Sequence, residues 1–269
     1  MTDEYVLGHT SVEAHRLQLQ ADVLAPHSAH LFRLAGIEPG MRVLDIGSGA
    51  GDVSMLLAEL VGPTGSVTGV DINPDIVELA RARTADAGLA NVCFTVSDLA
   101  ELRLDEPFDA LVGRLILIHL PAPAATVRGL SRLVRPGGVV SFQDFNITRC
   151  RSVPPTPLAT RCAKWVADGM HAVGINVDIG EQLAAILRDA GLTVEGMAAA
   201  GPGGTAGSAM PEYAAMSVGS MLPVLLAHGI ATEAEVGLDT LAQRLTSELA
   251  EAGATFWGPE MAGAWARVR

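Results

Sequence analysis

Three glycines, Gly47, Gly49 and Gly51, follow the run VLDI, in which Asp45 is the single charge. A glycine turn placed directly after an apolar strand lets backbone N–H groups approach a nucleotide closely. A triphosphate cradle would need GxxxxGK[ST], and GSGAGD has neither the lysine nor the hydroxyl residue that closes it. A dinucleotide fingerprint would need GxGxxG, whose third glycine lets the following helix pack while its N-terminus faces a pyrophosphate. The spacing here is GxGxG. Asp45 lies two residues ahead of Gly47, a position unhelpful beside a pyrophosphate and tolerable beside a cationic ligand.

Other side chains along the chain could do chemistry. Asp71, in VTGVDIN, stands 20 residues after Gly51, and a carboxylate is the natural bidentate acceptor for a diol. His119, in RLILIHLP, offers an imidazole able to take a proton from a phenol, a hydroxyl or an activated carbon acid. The alternative for it is a packed histidine with one hydrogen bond. Asp144, in FQDFN, could face the same place or cap the next segment. His171 sits on a predicted helix. His27 and His30 have helical spacing but no third ligand, so no metal site is expected.

These residues need elements to position them. A helical stretch over about Val12–Ala35 leads into alternating strands and helices. RVLDI, SVTGVD, VCFTVS, FDALVG and GVVSFQDF read as short, mostly apolar strands, which suits a parallel sheet covered on both faces. Between them, Asn73 and Pro74 start a helix whose buried side is marked by Ile76, Val77 and Leu79/Ala80, and Gly88 stops it. Arg135–Gly138 reads as a turn. Asp178 with Glu181 suggests a capping box ahead of Leu183, Ile186, Leu187 and Ala190, and Thr232 with Glu235 another, ahead of a helix burying Leu238, Leu241, Leu245 and Leu249. The alternation predicts an α/β fold with a doubly wound seven-stranded sheet, mostly parallel with an antiparallel last strand, helices on both faces and a helical cap. The expected segments are an N-terminal helical segment (1–40), a core (41–145), a cap insertion (146–177), a core helix and sixth strand (178–200), a helical cap (201–253) and a last strand (254–269) that Gly258-Pro259 must bend or interrupt.

The motifs in order carry a resemblance. DIGSGAGD resembles the DxGxGxG motif of class I methyltransferases that use S-adenosylmethionine (SAM), a cationic ligand without phosphate. VTGVDIN, VSDL, FDALVGRLILIHL and LVRPGGVVSF are similar to the motifs of the second to fifth strands of that family, so the likeness runs from about Arg42 to Phe145. The resemblance implies SAM as cofactor and S-adenosylhomocysteine as product. It implies cofactor contacts at Gly47, Gly49 and Gly51, with Asp45 near the SAM amino group. It further implies Asp71 at the ribose hydroxyls, Ile72 as a further cofactor contact, Asp98 at the adenine amino group with Ser97 and Leu99 as flanking contacts, and Arg114 as a cofactor contact after the fourth strand. The helix that precedes the core in similar enzymes implies that Tyr5, Arg16 and Gln20 fold over the methionine end, with a solvated surface helix as the alternative. His119 falls where related enzymes line the methyl-transfer site. The [DN]PP[FY] of exocyclic-amine methylases is absent, and Gly113-Arg114 stands where metal-dependent catechol methylases place an Asp.

Bulk properties narrow the partners. A net charge of −12 disfavours nucleic acid, and Arg81/Arg83 and Arg128/Arg132/Arg135 look scattered over helix surfaces. Cys93, Cys150 and Cys162 form no CxxC, which fits a reducing cytoplasm. MTDEYVLGH does not read as a signal peptide, and AAMSVGSMLPVLLAHGIA reads as a covered helix rather than a membrane span. Trp165, Met170, Tyr213, Met216, Met221, Phe256 and Trp257 could shape an apolar substrate pocket or form plain core. The expectation is therefore a cytoplasmic enzyme methylating a small apolar or aromatic molecule, of the quinone-pathway or natural-product (secondary metabolism) type, with a homodimer left open. The competing readings are a nicotinamide-linked oxidoreductase, a SAM-binding protein with a non-methylating role, and a protein methyltransferase.

Overall fold

A computed structural model describes residues 11–104 and 106–269, with side chains from Leu19 onward. The first half of the chain forms α1 (Ser11–Leu34), β1 (Arg42–Ile46), α2 (Asp52–Val61), β2 (Ser66–Asp71), α3 (Pro74–Asp86), β3 (Val92–Val96), β4 (Phe108–Arg114), α4 (Pro123–Leu130) and β5 (Val134–Asn146). The second half forms β6 (Arg151–Val153), α5 (Pro157–Ala172), α6 (Leu183–Asp189), β7 (Thr193–Ala200), β8 (Gly203–Gly204), α7 (Met210–Ala227), α8 (Glu233–Val236), α9 (Leu238–Ala252), β9 (Thr255–Trp257) and β10 (Glu260–Arg267). The chain divides into a sheet unit, Ala25–Phe145 with Asp178–Ala200 and Met261–Arg269, and a helical unit, the described residues up to Leu24 with Asn146–Val177 and Gly201–Glu260.

The sheet unit carries seven strands in the order β3-β2-β1-β4-β5-β10-β7. β1 pairs in parallel with β2 and β4, β2 with β3, and β4 with β5, whereas β10 runs antiparallel to β7. β1 explains why the sheet is covered on both faces. Leu44 and Ile46 join a core with Leu111, Phe142 and Leu183, while Val43 joins another with Phe32, Leu57 and Val112. Alternate residues of a strand point to opposite faces, so a strand apolar at every position must be buried twice. Strand order reverses between β1 and β4, the switch point at which open α/β sheets bind ligands beyond their carboxyl ends.

Local signals mostly act as read. The Asn73 side chain accepts from the amides of Asp75 and Ile76 at the start of α3. Several readings need correction. Leu79 is exposed, because α3 turns only Val77, Ala80 and Thr84 fully inward. Asp178 makes no side-chain cap bond, and a 3₁₀ turn at Ile179–Gln182 precedes α6 instead. Arg135–Gly138 lies inside β5, where the pairing with β4 shifts register and Gly137 adopts φ 76°. Arg83 is half-buried rather than a surface charge.

The helical unit packs α5, α7 and α9 around Trp165, Tyr213, Leu225, Leu241, Leu245, Leu249 and Phe256. Thr232 and Glu235 form the expected capping box, but it starts the single turn α8; Gly237, at φ 52°, breaks the helix and α9 follows. Leu238 is consequently exposed rather than core. A small antiparallel sheet, β6-β9-β8, was not legible in the sequence, since strands of two or three residues leave no periodic pattern. The expected last strand splits at Gly258-Pro259, with β9 in this small sheet and β10 in the large one. No helix among the described residues is long and apolar enough to cross a membrane.

Candidate active site

The turn after β1 is built for close approach. Gly47, at φ 66°, has the Ile116 side chain against it, and a Cβ there would lie 2.6 Å from Ile116 Cδ1. Gly49, at φ 50°, has open space where a Cβ would stand. That space adjoins a fixed carboxylate: Asp71 Oδ2 accepts from the Gly49 N–H at 2.9 Å and Oδ1 from the Asn73 N–H at 3.0 Å. Each oxygen keeps a further lone pair, so the group is oriented yet able to accept from a vicinal diol. Gly51 caps α2 in the left-handed conformation. Arg83 of α3, which sequence reasoning left on the surface, holds this turn. Its guanidinium donates to Ala50 O at 2.6 Å and Asp52 Oδ1 at 2.7 Å. No local signal marks that role, because the partners are 31 and 33 residues away.

Asp45 is buried, and the Ser54 hydroxyl donates to its Oδ2 at 2.6 Å. Burial pushes its pKa up to about 7, against the pull of the Ser54 hydroxyl and the Arg114 charge, while Asp71 and Asp52 add to the rise. Ser48, three residues further on, has a buried hydroxyl without a partner, a second polar group with unused capacity in the turn. Beyond β2, Ile72 is 66% exposed, a large apolar side chain offered to solvent where an aromatic base could cover it. Asp98 is exposed, with Oδ1 accepting from the Ala100 N–H at 2.8 Å, and the Ser97 N–H binds Asp71 O. Leu99 packs partly on the main core. The turn, Asp71, Ile72 and the 97–99 segment thus lie along the carboxyl ends of neighbouring strands β1, β2 and β3. Asp45, ahead of the glycine turn, makes a phosphate-free adenosyl cation a better fit here than a pyrophosphate.

The second half of the site follows β4. Arg114 donates to the Ser28 hydroxyl of α1 at 3.1 Å. Leu115 adopts φ 56°, rare for a branched side chain, and its N–H binds Gln143 O at 2.8 Å. Ile116 folds back into the space left by the missing side chains of Gly47 and Gly113. A 3₁₀ turn then carries His119. His119 is exposed, and partial burial lowers its pKa. It is therefore a neutral imidazole at neutral pH, the form that can accept a proton. Asp144 is wholly buried near the end of β5 and does not reach the surface. Gln20 is half-buried on α1 within the helical unit; Tyr5 and the side chain of Arg16 lie outside the described residues. In the helical unit, Trp165, Tyr213 and Phe256 are core, Met221 packs against that core, and Trp257 is exposed.

Comparison with known proteins identifies the family and the fold. The family described as "Methyltransferase domain" matches residues 37–190. The chain is 34% identical over 155 residues to the ubiquinone/menaquinone biosynthesis C-methyltransferase UbiE of Ectopseudomonas mendocina, covering 55% of this chain and 58% of that one. It is 32% identical over 158 residues to a ubiquinone biosynthesis O-methyltransferase of Xanthomonas euvesicatoria, covering 58% and 64%. It therefore spans less than two thirds of the length of these relatives. Among solved structures, the YcgJ protein of Bacillus subtilis shares the fold with a TM-score of 0.59 at 17% identity, over 90% of this chain and 99% of that one.

Proposed function

We propose that this chain, which belongs to the family of methyltransferase domains of the class I, SAM-dependent type, moves the methyl group of SAM to a small apolar or aromatic molecule. The observation that carries the reading is the Asp71 carboxylate, fixed by the Gly49 and Asn73 amides beside the open space over Gly49. Asp71 receives the ribose diol, Ile72 covers the adenine, Asp98 meets its amino group, and Arg114, Asp45 and the 47–51 turn surround the amino-acid end. When bound, the cofactor supplies an electrophilic methyl on a sulfonium. The protein's share is to place an acceptor atom in line with it, exclude water and, for an acceptor that must lose a proton, take that proton on His119.

The relatives named above act in quinone biosynthesis, which supports a hydroquinone- or phenol-like acceptor of primary or secondary metabolism. The net charge of −12 argues against nucleic acid as partner. A cytoplasmic setting suits the three cysteines, none of which is joined in a disulfide. A homodimer would use the edge strand β7, where Met197 is 54% exposed, and light scattering tests it.

Incubation with methyl-labelled SAM and a panel of alkyl hydroquinones and phenols tests the activity. Label is expected in the organic product. Tight SAM binding with no label transferred to any acceptor would favour a non-methylating use of the cofactor. His119→Ala is expected to leave SAM affinity within about twofold and to lower turnover by roughly 10²-fold, the scale of a lost general base. Undiminished turnover would return His119 to a packing role.

A further inference from the structure

We propose that Asp144 is a positioning residue of the methyl-transfer site, anchoring the 115–119 turn through its backbone so that His119 keeps its place beyond β4. The proposal rests on the reading of His119 given above. Asp144 is 0% exposed and touches no solvent, so it is not itself the proton acceptor. Its Oδ2 accepts from the Ile118 N–H at 3.3 Å and its Oδ1 from the Phe145 N–H at 3.1 Å. The Leu117 N–H also acts on the carboxylate, holding its pKa down against burial. A buried carboxylate is costly unless hydrogen-bonded. Here it accepts from the amides of Leu117 and Ile118, the first two of the 3₁₀ turn that carries His119.

That turn needs an anchor. Leu115 is in the left-handed region, which a residue other than glycine rarely adopts and occupies at a cost. Within the turn, the His119 N–H bonds to Ile116 O at 3.1 Å, which leaves the Ile118 amide to the carboxylate. Ties from outside hold the turn. They are the Leu115 N–H on Gln143 O, the Ile116 side chain in the gap at Gly47 and Gly113, and the Leu117 and Ile118 N–H groups on Asp144. The backbone ties come from β5, at the adjacent residues Gln143 and Asp144, so β5 helps to set where the end of β4 puts His119. Asp144 is the only one of these ties that a single side-chain exchange removes while leaving the glycine turn intact.

The test is Asp144→Asn, which keeps shape but places an amide N–H₂ against one of the donors. In the variant, the Ile118 amide is expected to exchange hydrogen about tenfold faster or more, the effect of losing one charge-assisted hydrogen bond. With an alkyl hydroquinone as acceptor, kcat is expected to fall roughly tenfold while the Kd for SAM and the KM for acceptor stay within about twofold. Equal exchange at Ile118 in the two proteins, or an unchanged kcat, overturns the proposal. So does a loss of SAM affinity in step with kcat, which would mean a general structural role. If Asp144→Asn does not fold, the wild-type protein decides: an Ile118 amide exchanging as fast as an exposed one overturns the proposal, and strong protection upholds it. The exchange measurement needs no methyl acceptor, so it stands even if the wild-type protein methylates nothing in the panel.

Discussion

The sheet unit and the helical unit use carboxylates in opposite ways. At the strand ends of the sheet unit, Asp45, Asp71 and Asp144 are fixed by hydroxyl or backbone donors, and two of them are buried with pKa values pushed up to about 7. In the helical unit, Glu248 of α9 accepts from the first free amides of α5, at Leu158 and Ala159. The first arrangement costs stability and prepares a site; the second joins helix to helix. The difference teaches where to look for chemistry: at polar groups whose burial the fold does not need.

The largest expected effect follows from that cost. Asp45 and Asp144 have folded-state pKa values raised from 3.8 to about 7, with burial as the main cause. Between those values the folded state binds more protons than the unfolded one, so stability is greatest below about pH 4 for these groups and falls as pH rises towards 7. Each contributes up to about 1.4 kcal/mol per pH unit. Urea denaturation at pH 5.0 and 7.5 measures the slope, and Asp45→Asn should flatten it. A wild-type profile with no decline across that window would break the comparison on the sheet side. Next in size, Leu245→Ala removes a fully buried side chain from the helical core and should cost about 3 kcal/mol in urea. Retained SAM affinity in this variant is expected, and a matching loss of affinity would merge the two roles.

The same contrast governs what could be read from residues alone. The glycine turn and its carboxylate, proposed above to hold the cofactor, were legible as structure because they are local: Gly47, Gly49 and Asp71 act through backbone conformation and spacing, and the Asn73-Pro74 start of α3 is a property of adjacent residues. The illegible parts depend on distant partners. Arg83 reads as a surface charge until α3 is laid beside the glycine turn. Ile116 carries no signal of its own until Gly47 and Gly113 are seen to leave it a gap. The helix expected from Thr232 to Leu249 breaks at Gly237 because a left-handed residue can be accommodated there, which no periodicity announces. In the helical unit, Trp165, Tyr213 and Phe256 are apolar core, and apolar core carries little information about which molecule is recognised.

A smaller effect sharpens the sheet side. Asp71→Ala removes the acceptor of two backbone amides and the proposed partner of the ribose. SAM affinity should drop by about 1–3 kcal/mol, the range for hydrogen bonds to a charged group. Calorimetric titration measures it. Affinity equal to wild type would remove Asp71 from the site and with it the reason for fixing that carboxylate.

The smallest effect tests the helical side. α5 begins at Pro157, which has no N–H to satisfy, and Thr156 supplies no side-chain cap. The next two amides instead donate to Glu248, at 2.8 Å for Leu158 and 3.1 Å for Ala159. One carboxylate from α9 thus does the work of a cap and opposes the positive end of the α5 dipole. Glu248→Gln retains an oxygen for one amide and loses the charge, so stability should fall by about 1 kcal/mol. Glu248→Ala, which abandons both amides, should fall further. Neither change should alter the pH slope set by Asp45 and Asp144, because neither touches a strand end. If Glu248→Gln instead reproduced the pH behaviour of Asp45→Asn, the carboxylates of the two units would obey one rule, and burial alone would no longer mark the site.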